Sequence, residues 1–404
     1  MRIWRNVSRI SPNFLNFPDW SGACSVMPLL TLNGRQIALE QFNGEDAGDF
    51  SSYELHTLRF CRRWLVGQET FVLKTSGSTG RPKAVTLTRV QMSASASLTR
   101  RALGLQAGDK ALVCLSTEYI AGIMMLVRGL ELGLALTVIT PSRNPLAVFP
   151  DNAAFDFAAF VPLQLQEILT TTPSKKNFLS RMRAILVGGA PINEGLLQQI
   201  RTLNVPVYHT YGMTETVSHI AFRRLNGPQA SEYFTPLDEV EISLSSQGCL
   251  VVKSVLTGNR TLVTHDRVEL RPDGSFRWLG RIDNVINTGG FKVQVETVES
   301  ALEKLLQAYP QLAGRRFFIG SLADPQFDQA VVAVIEGLPV LPEILAGIRA
   351  RLRAGWLHDY EVPRHFYFQP RLLETPTGKI DRRANLAAIK KIQINPVQPV
   401  DKCR

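Results

Sequence analysis

The sequence predicts an α/β protein. It has a large N-terminal domain of layered α/β sheets with a β-rich subdomain, and then a small α+β C-terminal domain. Three observations predict this. The chain has 404 residues, too many for one ordinary core and enough for two or three domains. Through the first half, short apolar runs alternate with segments of helical spacing, the β–α–β order that builds a largely parallel sheet covered by helices. After about residue 235 the alternation gives way to short strands separated by turn signals.

In chain order, "KALVCLS" reads as a strand, "AGIMMLVRGLELG" has helical spacing with a glycine at its end, and "LALTVIT" reads as a second buried strand. "FDFAAFVPLQLQEIL" followed by "RAILVGGAP" repeats the theme, with "AILV" as the strand, and "VPVYHTYG" is a short strand running into a loop. In such sheets a ligand sits outside the carboxyl ends of the strands, where "GGAP" and "TYGMTE" fall. "EVEISLS", "CLVVKS" and "RTLVTHDRVELRPDGSFRWLG" form the β-rich part, with "PDGS" as a turn. "RIDNVINTGGFKVQ" reads as a polar, glycine-marked connection. Val295, Val298, Leu302, Leu305 and Leu306 then mark an amphipathic helix. "RRFFIG" and "QAVVAVIEG" are strands and "LPEILAGIRARLRAG" is a helix. The boundary falls near Asp283, which gives domains of 1–282 and 283–404.

Charge and cysteine usage narrow the function. A net charge of +10 favours anionic partners, but the cations are scattered, with no basic arm and no aromatic-interleaved basic stripe. Nucleic acid is therefore not an expected partner, and small phosphorylated ligands are. Five cysteines stand far apart with no Cys-x-x-Cys pair, which predicts reduced thiols and a cytoplasmic protein. The basic N-terminus lacks an apolar core, so no secretory signal is expected. The longest apolar region carries Glu118, Arg128 and Glu131, which a membrane span would avoid. A homo-oligomer is left open.

The densest stretch is "KTSGSTGRPKAV", Lys74 to Val85. A Walker-type loop needs Gly-x-x-x-x-Gly-Lys-Ser/Thr running into a helix. Here Gly77 and Gly80 are three apart, and "AVTLT" after them alternates with the period of a strand, as does "FVLKT" before. The loop thus joins two strands as a long hairpin. Without a helix dipole it would hold phosphate with backbone amides, the hydroxyls of Thr75, Ser76, Ser78 and Thr79, and the cation of Lys83. Its glycines leave the tip conformationally free. The plain alternative is a glycine–serine surface linker.

"TSGSTGRPK" resembles the first signature of the adenylate-forming superfamily of acyl- and aryl-CoA synthetases, luciferases and peptide-synthetase adenylation domains. "GGAP" at 188–191, "YGMTE" at 211–215, "THD" at 264–266, "GRIDNVINTGGFKV" at 280–293 and "PTGKIDR" at 376–382 match further signatures in the expected order. The resemblance implies a reaction that joins a carboxylate to the α-phosphate of ATP, expels pyrophosphate, and passes the acyl group to coenzyme A. Two anions must approach, so cations, Mg²⁺ and alignment matter more than a general base.

The resemblance also implies roles. Thr75, Ser76, Gly77, Ser78, Thr79, Gly80 and Lys83 would cradle the phosphates. Thr214 would contact the α-phosphate and Glu215 would help hold Mg²⁺. Tyr211 would stack on adenine, with Gly189, Ala190 and Gly212 lining the nucleotide. Asp266 would bind the ribose hydroxyls with Arg281 in support; a weak Asp266–Arg281 surface pair is the plain alternative. Lys379, in a turn shaped by Pro376 and Gly378 and followed by a helix that Asp381 caps, would be the catalytic cation bridging carboxylate and α-phosphate. Asp283 would be the hinge of a mobile C-terminal lid. Gly290 and Lys292 would line the coenzyme A path.

Within the superfamily, "EYIAGIMMLVRGL", "FVPLQLQEIL", "ILVGGAPI" and "YGMTETVSHIAFR" resemble the short forms of o-succinylbenzoate–CoA ligases of menaquinone biosynthesis. Seventy-four residues precede the phosphate loop, so part of the usual first subdomain is expected to be missing or reduced. No histidine stands in "CLSTEYIAG" where many relatives carry one, and Ala84 replaces a common glycine. The substrate so implied has two carboxylates, and Arg128 on its apolar helix, with Ser218 and His219, is the candidate anchor for the one that does not react. The plain alternative is a salt bridge from Arg128 to Glu131 or Glu118. His209 and His265 read as structural. The rival functions are ligation of another aryl or acyl acid, and a nucleotide-binding protein without catalysis.

Overall fold

The computed structural model describes residues 30–40, 42, 50–74, 84–355, 357–375 and 378–394. Its centre is a nine-stranded sheet. In order across it run Thr235–Pro236, His219–Arg224, Val207–Gly212, Ala184–Val187, Phe157–Phe160, Lys110–Val113, Ala135–Val138, Leu30–Leu32 and Arg35–Ile37. The six strands from Val207–Gly212 to Leu30–Leu32 are parallel. The strands beyond them at both edges are antiparallel.

The apolar runs are continuous because both faces of this sheet are buried. Ala111 and Val113, Phe157 and Ala159, and Ala184 and Leu186 face one hydrophobic cluster; it is completed by the helices Ser52–Leu65, Arg89–Leu103 and Ile120–Leu132. Leu112 and Cys114, Ala158 and Phe160, and Ile185 and Val187 face the other, with Pro162–Thr171, Lys175–Ser180 and Glu194–Arg201. Ile120–Leu132 is apolar on nearly every side because it is buried on nearly every side, and Gly133 in the left-handed region ends it.

The strand order reverses between Lys110–Val113 and Phe157–Phe160. The chain runs from Lys110–Val113 first to Ala135–Val138 on one side and then to Phe157–Phe160 on the other. A crevice opens at the carboxyl ends of strands at such a switch point. Val161 stands there.

Thr70–Lys74 and Ala84–Thr88 pair antiparallel, so the hydroxyl-rich loop does join two strands. Thr75, Ser76, Gly77, Ser78, Thr79, Gly80 and Lys83 themselves lie outside the described residues. The β-rich part is a four-stranded antiparallel sheet of Glu241–Leu244, Cys249–Lys253, Leu262–Leu270 and Phe276–Arg281. The stretch read as a polar connection is instead a hairpin, Val285–Thr288 with Phe291–Gln294, because Ile286 and Val293 alternate inward against the C-terminal core.

From Ile286 onward the chain has its own hydrophobic clusters, built from the helices Val295–Leu306 and Pro342–Gly355 and the strands Phe317–Asp324, Asp328–Glu336 and His365–Gln369. The helix Arg382–Ile394 completes it, with Asp381 Oδ1 accepting from the Ala384 amide at 2.9 Å. No helix among the described residues is long and apolar enough to cross a membrane. Cys61, Cys114 and Cys249 are buried free thiols. Cys24 and Cys403 lie outside the described residues.

Candidate active site

The strand Val207–Gly212 carries the chain from the large sheet into the site. Gly212 is a glycine for a steric reason: a Cβ there would run into the Ser218 carbonyl oxygen and lie 2.6 Å from His219 Cα. The backbone doubles back on itself at this point. Thr214–Thr216 forms one 3₁₀ turn, and Val217 then takes φ 65° and ψ −58°, closed by the Ser218 amide donating to the Thr216 carbonyl at 2.7 Å. That is a γ-turn of the strained, positive-φ kind, unusual for a β-branched residue. It is held by burial of Val217 and by Thr216 Oγ1, which accepts from the Met213 amide at 3.0 Å. The strained turn separates two groups of predicted residues, with Thr214 and Glu215 on one side and Ser218 and His219 on the other.

On the first side lies the face that carries Tyr211 and Asp266. Tyr211 donates its hydroxyl to Asp266 Oδ2 at 2.6 Å, and its ring meets Phe276 edge-on at 5.1 Å. Burial, with the neighbouring Asp266 charge, pushes the Tyr211 hydroxyl up, so it stays a donor. Asp266 is only 6% exposed and also accepts from Trp278 Nε1 at 3.1 Å. Arg281 stands opposite Asp266 in register, yet its Nη1 stays 3.9 Å away. Its close bonds go to Asp283, from Nε at 2.8 Å and Nη2 at 2.7 Å. His265 Nδ1 joins Asp283 at 2.8 Å. Asp266 is thus not one half of a surface pair. Asp283 is clasped by two neighbours, and the Arg281 hydrogen bonds draw its carboxyl from 3.8 down to about 2. His265, read as structural, is one arm of that clasp.

Thr214 and the exposed Glu215 make no side-chain hydrogen bond or ion pair among the described residues, so both are available to a ligand. Gly189 and Ala190 follow the strand Ala184–Val187 at the carboxyl edge of the sheet. Burial and the Arg223 guanidinium pull the His209 imidazole down to about 3, and a hydrogen bond with the Ala190 backbone opposes them. His209 therefore braces this loop as a neutral ring.

Lys379 reaches the same edge from the C-terminal unit. Its turn is closed by Thr375 N–H to Lys379 C=O at 2.7 Å and Gly378 N–H to Thr375 C=O at 2.9 Å, with Gly378 at φ 75°. A Cβ at Gly378 would lie 3.9 Å from one methyl of Val161, and a Cβ at Gly189 3.8 Å from the other. The lysine turn and the 188–191 loop therefore lie side by side over the switch point. Desolvation lowers the Lys379 ammonium from its ordinary value. Its Nζ has no hydrogen-bond partner among the described residues.

On the far side of the γ-turn lies a closed polar ring in the core. Arg128 is 2% exposed. Its Nε donates to Thr99 Oγ1 and its Nη2 to Ser218 Oγ, both at 3.1 Å. Thr99 Oγ1 donates to the Ser95 carbonyl at 2.9 Å, so the His219 Nε2 found 2.9 Å from Thr99 Oγ1 must carry the proton. His219 Nδ1 then faces Ser218 Oγ at 3.4 Å as an acceptor. Burial, with the Arg128 charge beside it, holds His219 well below its ordinary value, and it is neutral. Desolvation pulls Arg128 itself down to about 9. No carboxylate among the described residues pairs with it: Glu131 binds Arg89 and Trp64 instead. A buried cation among neutral partners alone is the arrangement that an incoming anion completes.

Gly290 and Lys292 belong to a different element, the hairpin that opens the C-terminal unit. They sit at the exposed end of the Val285–Gln294 hairpin, where the Gly289 amide donates to the Phe327 carbonyl at 2.9 Å. No hydrogen bond or ion pair among the described residues ties them to Thr214, Asp266 or Lys379. Thr99, Trp278 and Val161 were not foreseen. Thr99 and Ser95, four residues apart on the buried face of a helix, were the signal that could have flagged the first.

Comparison with known proteins defines the class. Residues 68–254 match the family model of AMP-binding enzymes. The chain is 42% identical to an acyl-CoA synthetase (AMP-forming)/AMP-acid ligase II-like protein from Dyadobacter fermentans, covering 84% of this chain and 95% of that one at a TM-score of 0.55. It is 29% identical over 338 residues to a probable 2-succinylbenzoate–CoA ligase from Mycobacterium tuberculosis, covering 78% of this chain and 82% of that protein. An o-succinylbenzoate CoA synthetase from Bacillus subtilis, in complex with an acyl-adenylate intermediate, is 25% identical, with 77% of this chain and 67% of that chain covered and a TM-score of 0.61. The chain belongs to the family of AMP-binding enzymes and is an acid–CoA ligase of the AMP-forming kind.

Proposed function

We propose that the enzyme activates o-succinylbenzoate with ATP, forming an acyl-adenylate and pyrophosphate, and then transfers the acyl group to coenzyme A. The observation that carries the acid is Arg128, a buried guanidinium bonded only to neutral groups. A dicarboxylic acid fits because one carboxylate can meet Arg128, Ser218 and His219 while the other reaches across the Val217 turn to Thr214. Ligation of another aryl or acyl acid is the second reading.

In this mechanism Tyr211 and Asp266, with Gly189, Ala190 and Gly212 as backbone walls, hold the adenosine, and Arg281 supports the ribose side. Thr214 takes the α-phosphate, and the loop from Thr75 to Lys83 takes the outer phosphates. Lys379 stands between the reacting carboxylate and the α-phosphate and offsets the charge on both. Glu215 fits a magnesium site: it is exposed and unpaired among the described residues, and Mg²⁺ needs only one or two carboxylates beside phosphate oxygens and water. When bound, the ion supplies charge neutralisation at the phosphates. Residues 1–282 would form the body and 283–404 a lid that turns about Asp283, withdrawing Lys379 and bringing Gly290 and Lys292 toward the thiol path.

The test is pyrophosphate release with o-succinylbenzoate, benzoate and a medium-chain fatty acid, each with and without coenzyme A, for wild type and Arg128→Ala. Release with o-succinylbenzoate is expected, and the variant should raise the KM for that acid about 30-fold while leaving benzoate unchanged. Release with monocarboxylic acids alone would overturn the diacid. Equal losses for both acids would overturn the anchor.

A further inference from the structure

The C-terminal unit touches the large sheet away from the hinge at a few identifiable points. Glu303 Oε1 accepts from the Glu194 amide at 3.0 Å, satisfying one of the free N–H groups at the start of the helix Glu194–Arg201. Arg143, in the segment after Ala135–Val138, donates from Nη2 to Glu374 Oε1 at 2.8 Å across 231 positions of sequence. Glu374 pairs with Ile380 as a β-bridge, so it stands at the stem of the turn that carries Lys379.

Inside the C-terminal unit the same Glu374 oxygen accepts from Arg316 Nη1 at 2.6 Å, and Arg316 approaches Glu336 at 3.7 Å. Glu336 in turn accepts from the Leu372 amide at 2.9 Å. The turn therefore keeps an internal ion pair without Arg143, and Arg143 adds only the link to the large sheet. Among the described residues, the Lys379 side chain has no hydrogen-bond or ion-pair partner to hold it over the crevice. Its position depends on where the stem is tied.

We propose that Arg143 is a positioning residue whose bond to Glu374 latches the Lys379 turn onto the carboxyl edge of the large sheet for acyl-adenylate formation, and which releases the turn for the step with coenzyme A. This rests on the ligase reading above and on the role given there to Lys379. The Arg143 side chain is 41% exposed, so the pair is screened and modest. A modest latch suits a contact that must break in every cycle.

Three measurements on wild type, Arg143→Ala and Arg143→Lys test it. The first is pyrophosphate release without coenzyme A, and the second is thioester formation from supplied acyl-adenylate. The third is hydrogen exchange at the Glu194 amide, which needs no activity and reads docking of the C-terminal unit directly. Arg143→Ala should lower the kcat of the first about fivefold with the KM for ATP unchanged, leave the second unchanged or faster, and speed exchange at Glu194. Arg143→Lys should recover part of the first, and raising salt should slow wild type while leaving Arg143→Ala unaffected. Equal loss in both half-reactions, or no change in Glu194 exchange, would overturn the latch. Absence of pyrophosphate release from wild type with every acid would instead sink the ligase reading, and Glu194 exchange would still decide whether Arg143 docks the unit.

Discussion

The two sides of the Val217 turn are built by opposite rules. The Arg128 side is a closed ring of hydrogen bonds inside one core: Thr99 comes from a helix packed on the sheet, Ser218 and His219 from just before and at the start of the strand His219–Arg224, and each has a fixed partner. The side proposed for the nucleotide is a seam. Tyr211 comes from the large sheet, Asp266 and Arg281 from the four-stranded sheet, and Lys379 from the C-terminal unit. The difference shows where an enzyme of this kind can be rigid. A pocket that selects one small acid gains from being fixed before the acid arrives. Under the proposed function, a face that admits ATP, releases pyrophosphate and then exchanges Lys379 for a thiol cannot be tied shut, and Thr214, Glu215 and Lys379 are left without side-chain partners among the described residues.

The contrast can be broken or sharpened by substitution. The largest effect is expected at Lys379. Lys379→Ala should slow acyl-adenylate formation by about 10²–10³-fold while the affinity for the acid, read by calorimetry, stays as it is. A loss of acid affinity instead would mean that the two sides are not separate.

Gly212→Ala strikes the point the two sides share, since the new methyl would run into the Ser218 carbonyl oxygen. It should cost about 2–4 kcal/mol in a urea melt and weaken acid and nucleotide binding together. Weakening of one alone would show that the turn isolates the sides rather than joining them.

The smallest effect is at Asp283, the proposed hinge. The Asp283 carboxyl is held down to about 2 from 3.8, so its contribution is present above the unfolded value and is lost as pH falls through the folded one. The stability difference between wild type and Asp283→Asn should therefore be flat from about pH 5 to 8 and shrink as pH falls from about 4 toward 2. A difference that varies around neutrality would show that the Asp283 carboxyl does not govern the clasp.

The sequence made the chemistry legible one residue at a time and left the partnerships hidden. Buried parallel strands announce themselves as apolar runs, so Lys110–Val113, Ala184–Val187 and the helix between Tyr119 and Gly133 were readable. The helices Ser52–Leu65 and Arg89–Leu103 were not, because polar residues break up their apolar faces. The strand His365–Gln369 was missed because it pairs in parallel with Asp328–Glu336 across an intervening helix, a choice made by tertiary packing. In the site, Arg128 stood out as a cation on an apolar helix, but its hydrogen-bond partner Ser218 lies 90 positions away and Thr99 carries no motif. Trp278 was invisible for the same reason: it matters through one hydrogen bond to Asp266.

Arg281 has a consequence of its own. One guanidinium stands between the carboxylate assigned to the ribose and the carboxylate assigned to the pivot, and it is bonded to the second while still within reach of the first. If Asp266 holds a ribose as proposed, that ribose would share the carboxylate with Arg281 and so would alter the hold on Asp283. By reciprocity, a rotation about Asp283 that loosened it would change the hold on the sugar by the same free energy. On that reading cargo and gear lever share a single bolt, and a mutation that retuned one would shift the other.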